Sequence, residues 1–471
     1  MVAAGGLLAA MLAFFAWDSR RGAPLEAWHK YLPKDTGASE INDMTWGDYL
    51  AAEDTLFRQV HDAVTARLAT RDQLPFNRYF EGSPVYPGRF TTDWNRSYSL
   101  EPAGPPQGVV VLLHGLTDSP YSLRHLGRLY RDRGWVVLAI RLPGHGTVPS
   151  GLSYVKWESW LAATHLAVRE ARRRVPTPAP LHIVGFSNGG ALALQYSLDA
   201  IDDSTLARAD RMVLITPMIG ITAMARFAGI AGWPSILPWF AKAAWLGIVP
   251  EFNPFKYNSF PVNGAVQSHQ LTRALQGRIA EYAARGRLDA LPPVLTFQSV
   301  VDFTVSAPAI VSALYDHLPA NGSALVLFDI NRSVDFGPVL RATAGQAADR
   351  LVPPPPRRYG VTLVTNAGPG LPQMVAEDTP AGSTGTFRRA LDLAYPRTVF
   401  SLSHVALPFP VSDPMLGMEP DTTEDYGIRL GTLALRGEVD VLVLNTETLM
   451  RLTSNPFFPY LEERVVEWME R

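Results

Sequence analysis

A nucleophile is the first chemistry that this sequence offers. Residues Gly185-Phe186-Ser187-Asn188-Gly189 interrupt an apolar run, Leu181 to Val184, and are followed by the small-residue helical pattern Gly190 to Gln195. That order predicts a strand, a sharp turn with a serine at its tip, and a helix. The turn forces the serine backbone into a strained conformation, and the flanking glycines leave room for strand and helix to approach closely. The serine oxygen then stands clear of the sheet, with the Asn188 amide beside it at the helix N-terminus. A serine hydroxyl attacks a carbonyl only if a base removes its proton and donors receive the negative oxygen that forms. Leu116, in the turn His114-Gly115-Leu116 that follows another apolar run, is the candidate partner for Asn188 as a backbone N–H donor. Losing one such donor typically costs about 3 kcal/mol of transition-state stabilisation. His114 and His145, each next to glycine, read as turn-shaping residues.

The elements that must hold these groups alternate. Gly108 to Leu113, Trp135 to Ile140, Leu181 to Val184 and Met212 to Ile215 are continuous apolar runs, as expected of strands buried on both faces. Helical patterns separate them, at Leu123 to Arg133, at Trp157 to Arg174 and after Ser187. Alternation of this kind predicts a parallel sheet covered on both sides, with reacting groups gathered at the carboxyl ends of the strands.

With His114-Gly115-Leu116-Thr117-Asp118-Ser119-Pro120, Pro143-Gly144-His145-Gly146-Thr147 and Gly185-Phe186-Ser187-Asn188-Gly189-Gly190 in that order, the chain resembles the α/β-hydrolase superfamily. It is most similar to the carboxylesterase, monoacylglycerol-lipase and serine-aminopeptidase-like branch. The resemblance is strong over residues 106–217 and patchy beyond. It implies a mostly parallel sheet with helices on both faces, a helical cap after the strand that follows the serine, and a triad in the order Ser, Asp, His. Asp302, after the run Pro293 to Val301 and before Phe303-Thr304-Val305, resembles the family's acid; Asp329, after Ala324 to Phe328, is the alternative. Of the later histidines, His269 falls in the cap and His317 inside a helix. His404 ends the strand-like run Arg397 to Ser403 and opens a loop, from which a base can reach the serine, so His404 is the candidate. The departure from the family is the distance from Asp302 to His404. An insertion at about 331–396 fills it, read as added sheet (a strand at Val361 to Thr365) plus a Gly/Pro/Thr-rich loop at 367–386.

The remaining regions are read as follows. Residues 1–17 are apolar and uncharged, spanning about 25 Å as a helix, and are expected to be a single-pass membrane anchor with the catalytic domain on an undetermined side. Residues 18–105 are an N-terminal extension with one long helix over Asp43 to Thr70 and an edge strand near Tyr98. Residues 106–217 and 291–471 are the two parts of the hydrolase core. Residues 218–290 are the cap, whose Trp233, Trp239 and Trp245 are candidates for a substrate pocket. Val441 to Leu444 suggests a further strand and Asn455 to Met469 a closing helix.

Bulk composition excludes other classes. The 471 residues carry 42 Lys and Arg against 44 Asp and Glu, a net charge of −2, so nothing points to nucleic acid. There is no cysteine, which excludes disulfides, thiolate metal sites and a cysteine nucleophile. No cofactor or metal is implied. The sequence therefore predicts a serine hydrolase of carboxylic esters, acting on a small-molecule or lipid ester, with no cofactor and with membrane contact through its N-terminus. Peptidase, thioesterase or acyltransferase chemistry on the same fold is the alternative, and a non-catalytic membrane-attached binding protein is the alternative of another class.

Overall fold

A computed structural model describes residues 23–220, 238–334, 341–433 and 446–471. Ten strands form one sheet: β1 (Tyr98–Leu100), β2 (Gly108–Leu113), β3 (Trp135–Ile140), β4 (Leu181–Phe186), β5 (Arg211–Ile215), β8 (Val294–Ser299), β9 (Ala324–Phe328), β10 (Gly360–Asn366), β11 (Gln373–Thr379) and β12 (Phe387–Ala394). Their spatial order is β1-β3-β2-β4-β5-β8-β9-β10-β11-β12. β3 through β10 run parallel; β1 at one edge and β11 and β12 at the other are antiparallel to their neighbours. β6 (Trp245–Gly247) and β7 (Phe260–Pro261) form a separate small pair.

The central strands are apolar throughout because each buries both faces. In β2, Val109, Val111 and Leu113 join one core cluster, while Val110 and Leu112 join another on the opposite side. β3 and β5 divide in the same way, as the two-residue period of a strand requires. Helices α3 (Trp157–Arg174), α4 (Asn188–Asp202) and α5 (Val262–Ala284) bury their stripes in the first cluster. Helices α2 (Arg124–Asp132) and α7 (Phe458–Glu470) bury theirs in the second. The sheet, mostly parallel and covered on both faces, is the one expected.

Helix α1 (Trp46–Ala63) begins at Thr45, whose hydroxyl accepts from Asp48 N while Asp48 accepts from Thr45 N. This reciprocal cap starts the helix three residues later than the apolar spacing suggested. The N-terminal extension is tied to the sheet by buried ion pairs. Arg141, at the end of β3, is fully buried and bonds Asp35 through Nη1 and Nη2 (2.8 and 3.0 Å) and Glu53 through Nε (3.0 Å). Burial raises the Asp35 carboxyl, but the Arg141 charge and three hydrogen bonds outweigh this and hold it below the usual carboxylate range.

Several expectations are corrected. The single-pass anchor is not supported: among the described residues no helix is long and apolar enough to cross a membrane. Residues 1–17, where that anchor was expected, lie outside the described residues. Membrane contact through this segment is withdrawn with it. Arg397 to Ser403 forms no strand; His404 instead opens a single 3-10 turn, His404–Ala406. The loop expected at 367–386 contains β11, and β12 follows it, so the insertion extends the sheet by three strands. His317 lies outside the helix expected to hold it: α6 spans Ala307–Ala313, and His317 closes a 3-10 turn, Tyr315–His317. Within residues 218–290, α5 buries Leu271, Leu275 and Ile279 in the main core. The strand suggested at Val441 to Leu444 lies outside the described residues.

Candidate active site

Ser187 sits between β4 and α4 with φ +52° and ψ −112°, a conformation that side chains other than glycine rarely adopt. Holding it costs of order 1–3 kcal/mol, which the surrounding packing must offset. The backbone is pinned on both sides: Ser187 N donates to Ile215 O (3.0 Å), and Met218 N donates to Ser187 O (3.0 Å). Two glycines make the turn possible. A Cβ on Gly189 would lie 1.9 Å from Leu113 O, and one on Gly185 would lie 2.5 Å from Gly189 O. No larger residue fits either place without moving a strand.

Leu116 lies in the turn after β2 and Asn188 opens α4 after β4, and the two strands are adjacent in the sheet. Among the described residues, neither amide donates to a backbone or side-chain acceptor. Thr117 beside Leu116 also takes a positive φ, +63°, and its carbonyl accepts from Tyr257 N at 2.8 Å. This loop is fixed from below by His114, which accepts from Leu142 N through Nε2 (3.0 Å) and faces Gly115 O through Nδ1 (2.9 Å). Burial holds the His114 ring well below its ordinary pKa, with the neighbouring His145 adding to the effect. A neutral ring with both nitrogens engaged braces the turn.

Asp302 follows β8 and His404 follows the three-strand insertion, yet Asp302 Oδ2 lies 2.9 Å from His404 Nδ1. Gln298 Nε2 donates to the same oxygen (3.1 Å), and Thr304 N and Val305 N donate to Oδ1 (2.7 and 3.1 Å). Burial pushes the Asp302 carboxyl up, but the His404 charge and these hydrogen bonds outweigh it, leaving the carboxyl below its ordinary value. A carboxylate on Nδ1 fixes a Nδ1–H tautomer and leaves Nε2 free to take a proton. The His404 ring lies over Phe186, the residue before the serine, with centroids 5.4 Å apart. Among the described residues no hydrogen bond joins Ser187 to His404, whose side-chain partner is Asp302. Asp329 is occupied elsewhere, accepting from Arg332 Nε (2.6 Å) and Thr365 Oγ1 (2.8 Å). His269 lies on α5, and His317 closes the turn after α6.

Trp245 stands edge-on to His29 of the N-terminal extension, with centroids 4.8 Å apart. Trp239 falls in the 3-10 turn Pro238–Ala244. Trp233 lies outside the described residues. A cavity of about 20 Å³, enough for about one water, instead adjoins the His404 loop, between Asp118, Phe255, Lys256, Val405, Phe409 and Met415.

Sequence reasoning missed how the His404 loop is held. Asp413 is fully buried, and its carboxylate accepts from Met415 N, Leu416 N, Tyr121 Oη (3.0 Å) and His125 Nε2 (2.9 Å). Arg124 Nη1 lies 2.9 Å from it, and the guanidinium stacks 3.8 Å above the Tyr121 ring. One carboxylate thus ties the loop that carries His404 to the residues that follow the Leu116 turn. Its only sequence signal is an aspartate before proline in a loop, which is too common to single it out.

Residues 104–328 match the family described as Serine aminopeptidase, S33. A thermostable monoacylglycerol lipase from Bacillus sp. (strain H-257) is 33% identical over 85 residues, 18% of this chain and 33% of that protein. The magnesium-chelatase 30 kDa subunit of Rhodobacter capsulatus is 34% identical over 139 residues, 27% of this chain and 40% of that protein. The chain therefore spans two fifths or less of the curated relatives it matches. Among solved structures, a metagenome-derived lipolytic enzyme superposes with a TM-score of 0.40 at 21% identity, covering 50% of this chain and 88% of the other. Over the matched residues the chain is similar to the Serine aminopeptidase, S33 family and to a monoacylglycerol lipase, and its sheet is mostly parallel with helices on both faces.

Proposed function

We propose that this protein is a serine hydrolase that cleaves carboxylic esters through an acyl-enzyme. Ser187 Oγ attacks the ester carbonyl carbon as His404 Nε2 takes its proton. The Leu116 and Asn188 amides receive the oxyanion. Collapse expels the alcohol, which leaves with the proton from His404, and water attacks the acyl-serine by the same route. Asp302 keeps the imidazole in the required tautomer and stabilises its charged form. The observation that carries this reading is the Asp302–His404 contact, formed across 102 residues of chain beside a strained serine.

An ester with an apolar acyl chain is the proposed substrate class, supported by the similarity to a monoacylglycerol lipase. Aminopeptidase chemistry is the second reading, favoured by the description of the matched family. A fluorophosphonate probe should label the intact protein and leave Ser187→Ala unlabelled. Nitrophenyl esters of rising chain length, run beside aminoacyl amides, then separate the two readings. Equal labelling of Ser187→Ala would remove the serine from the mechanism.

A further inference from the structure

Helix α1 and the irregular chain that follows it enclose a cavity of about 280 Å³ against the turn after β3. Phe57, Val60, Tyr79 and Tyr86 supply its apolar walls, and the turn contributes Gly146 and Thr147. The volume is close to the lower end of the range for small-molecule sites, about 300–1,000 Å³. The charged groups around it are unbalanced. Arg96 is matched by Asp54 and Asp93, at 2.6 and 3.4 Å. His61 is matched by Asp62 and Glu81. Two arginines that line the cavity, Arg58 and Arg78, have no carboxylate at ion-pair distance among the described residues. Arg58 is exposed, and its Nη2 donates to Thr55 Oγ1 (3.0 Å).

Arg78 is only 2% exposed, yet its guanidinium is bonded to neutral oxygens alone. Nη1 donates to Asn253 O and Lys256 O (3.2 and 3.4 Å), and Nη2 donates to Asn95 Oδ1 and Gly146 O (3.0 and 3.3 Å). Every Nη hydrogen is thereby used, and Nε–H has no acceptor among the described residues. Glu251 feels the Arg78 charge but forms no ion pair with it. Its carboxylate accepts from Asn258 N and Ser259 N, and burial raises it towards the neutral form. A buried cation without a counter-charge is strongly disfavoured, so an anion that enters the cavity meets two uncompensated arginines. A carboxylate suits one open N–H beside a positive charge. A phosphate dianion needs several donors, and Arg78 has already committed all but one. The aromatic and aliphatic walls call for an apolar body attached to that head group.

We infer that this cavity binds a small organic carboxylate, with its head group at Arg58 and Arg78 and its apolar body along Phe57, Val60 and Tyr86. The inference is independent of the proposed hydrolysis, because no residue of the cavity belongs to the candidate active site. Isothermal titration of the full chain with 3-phenylpropanoate should saturate at one site per chain, with a Kd below about 1 mM. 3-Phenylpropanol has the body without the charge, and inorganic phosphate has charge without the body. Each should bind at least about tenfold more weakly. Arg58→Glu should weaken 3-phenylpropanoate by at least about tenfold. Thr65→Trp, which fills the cavity from its wall, should abolish binding. Arg78 also braces the chain at Asn253 and Lys256, so the exposed Arg58 and the partly exposed Thr65 carry the test. Circular dichroism and an unchanged thermal unfolding curve establish that each variant is folded. Absence of saturation would overturn the proposal, as would an alcohol or a phosphate that binds as tightly as the carboxylate. Normal binding by folded Arg58→Glu or folded Thr65→Trp would place the carboxylate elsewhere and would overturn it too.

Discussion

At the scale of single residues, the candidate site rests on an imidazole held by a carboxylate that stays ionised. Asp302→Asn preserves shape but can stabilise the wrong tautomer, so kcat for a nitrophenyl ester should fall by about three to four orders of magnitude with KM little changed. His404→Ala should cost at least about a thousandfold; a near-normal rate in stopped assays would place the base elsewhere. His182 makes a different prediction, about stability. It lies in β4 against Trp135, centroids 4.4 Å apart, with Tyr130 Oη 3.1 Å from its Nδ1. Burial pushes its pKa from 6.5 down to about 3. Below pH 6.5 the unfolded chain therefore takes up a proton that the folded chain refuses. Stability contributed by this site is complete above pH 6.5 and declines as pH falls towards 3, by about 2 kcal/mol at pH 5. His182→Asn cannot gain that charge and should flatten the slope of urea stability between pH 7 and pH 5. The serine and its glycines were legible in the sequence because close backbone approach admits few residue types. Asp302 and His404 were legible through family order and the small number of histidines. Gln298 was not, because a glutamine at a strand end has no chemistry until its neighbour is known.

At the scale of elements, legibility followed burial. β2 to β5 announce themselves because both faces meet the core, and β10 does so in part. β11 and β12 do not: the short apolar run Met374 to Ala376 of β11 gives way to Glu377 and Asp378, and β12 carries Arg388, Arg389 and Asp392 and is open to solvent. The run at Arg397 to Ser403 misled for the converse reason. Its apolar residues Val399 and Leu402 pack into the core from an irregular chain, and burial alone does not make a strand. An irregular segment carrying His404 needs fixing from outside, and Asp413 supplies this. Burial raises its carboxyl, but Arg124 and His125 outweigh that and hold it well below the usual range. Asp413→Ala leaves Arg124 buried without its counter-charge and should lower stability by about 3–5 kcal/mol in urea unfolding. Arg124→Met/Asp413→Leu should recover most of the stability. It should not recover kcat, because the amides of Met415 and Leu416 lose their acceptor and the loop is no longer fixed. Recovery of both would show that the pair only fills space.

At the scale of the whole molecule, the resemblance read from three motifs is borne out over residues 104–328, while the parts outside them needed the structure. Asp35 and Glu53 meet Arg141 from 106 and 88 residues away, and no local pattern signals such a contact. The apolar start of the chain suggested an anchor by composition alone, and the described helices provide none. The buried arginine makes the extension and the sheet one cooperative unit. Arg141 is joined to Asp35, to Glu53 and to the carbonyl of His145, and its own carbonyl accepts from Tyr49 Oη of α1. Removing its side chain strands two carboxylates where Glu53 is already driven towards its neutral form by burial. Arg141→Met should therefore destabilise the extension by about 3–5 kcal/mol. The loss should be local, since β2, β4 and β5 keep their neighbours. In hydrogen exchange, amides of α1 should lose protection first, well before those of β4, whereas in the parent chain the two should open together near the global limit. Uniform loss across α1 and β4 in Arg141→Met would mean that the extension is a structural part of the core around the sheet, with no independent opening. Unchanged protection would mean that the apolar contacts of Ile41, Trp46 and Tyr49 suffice to hold it.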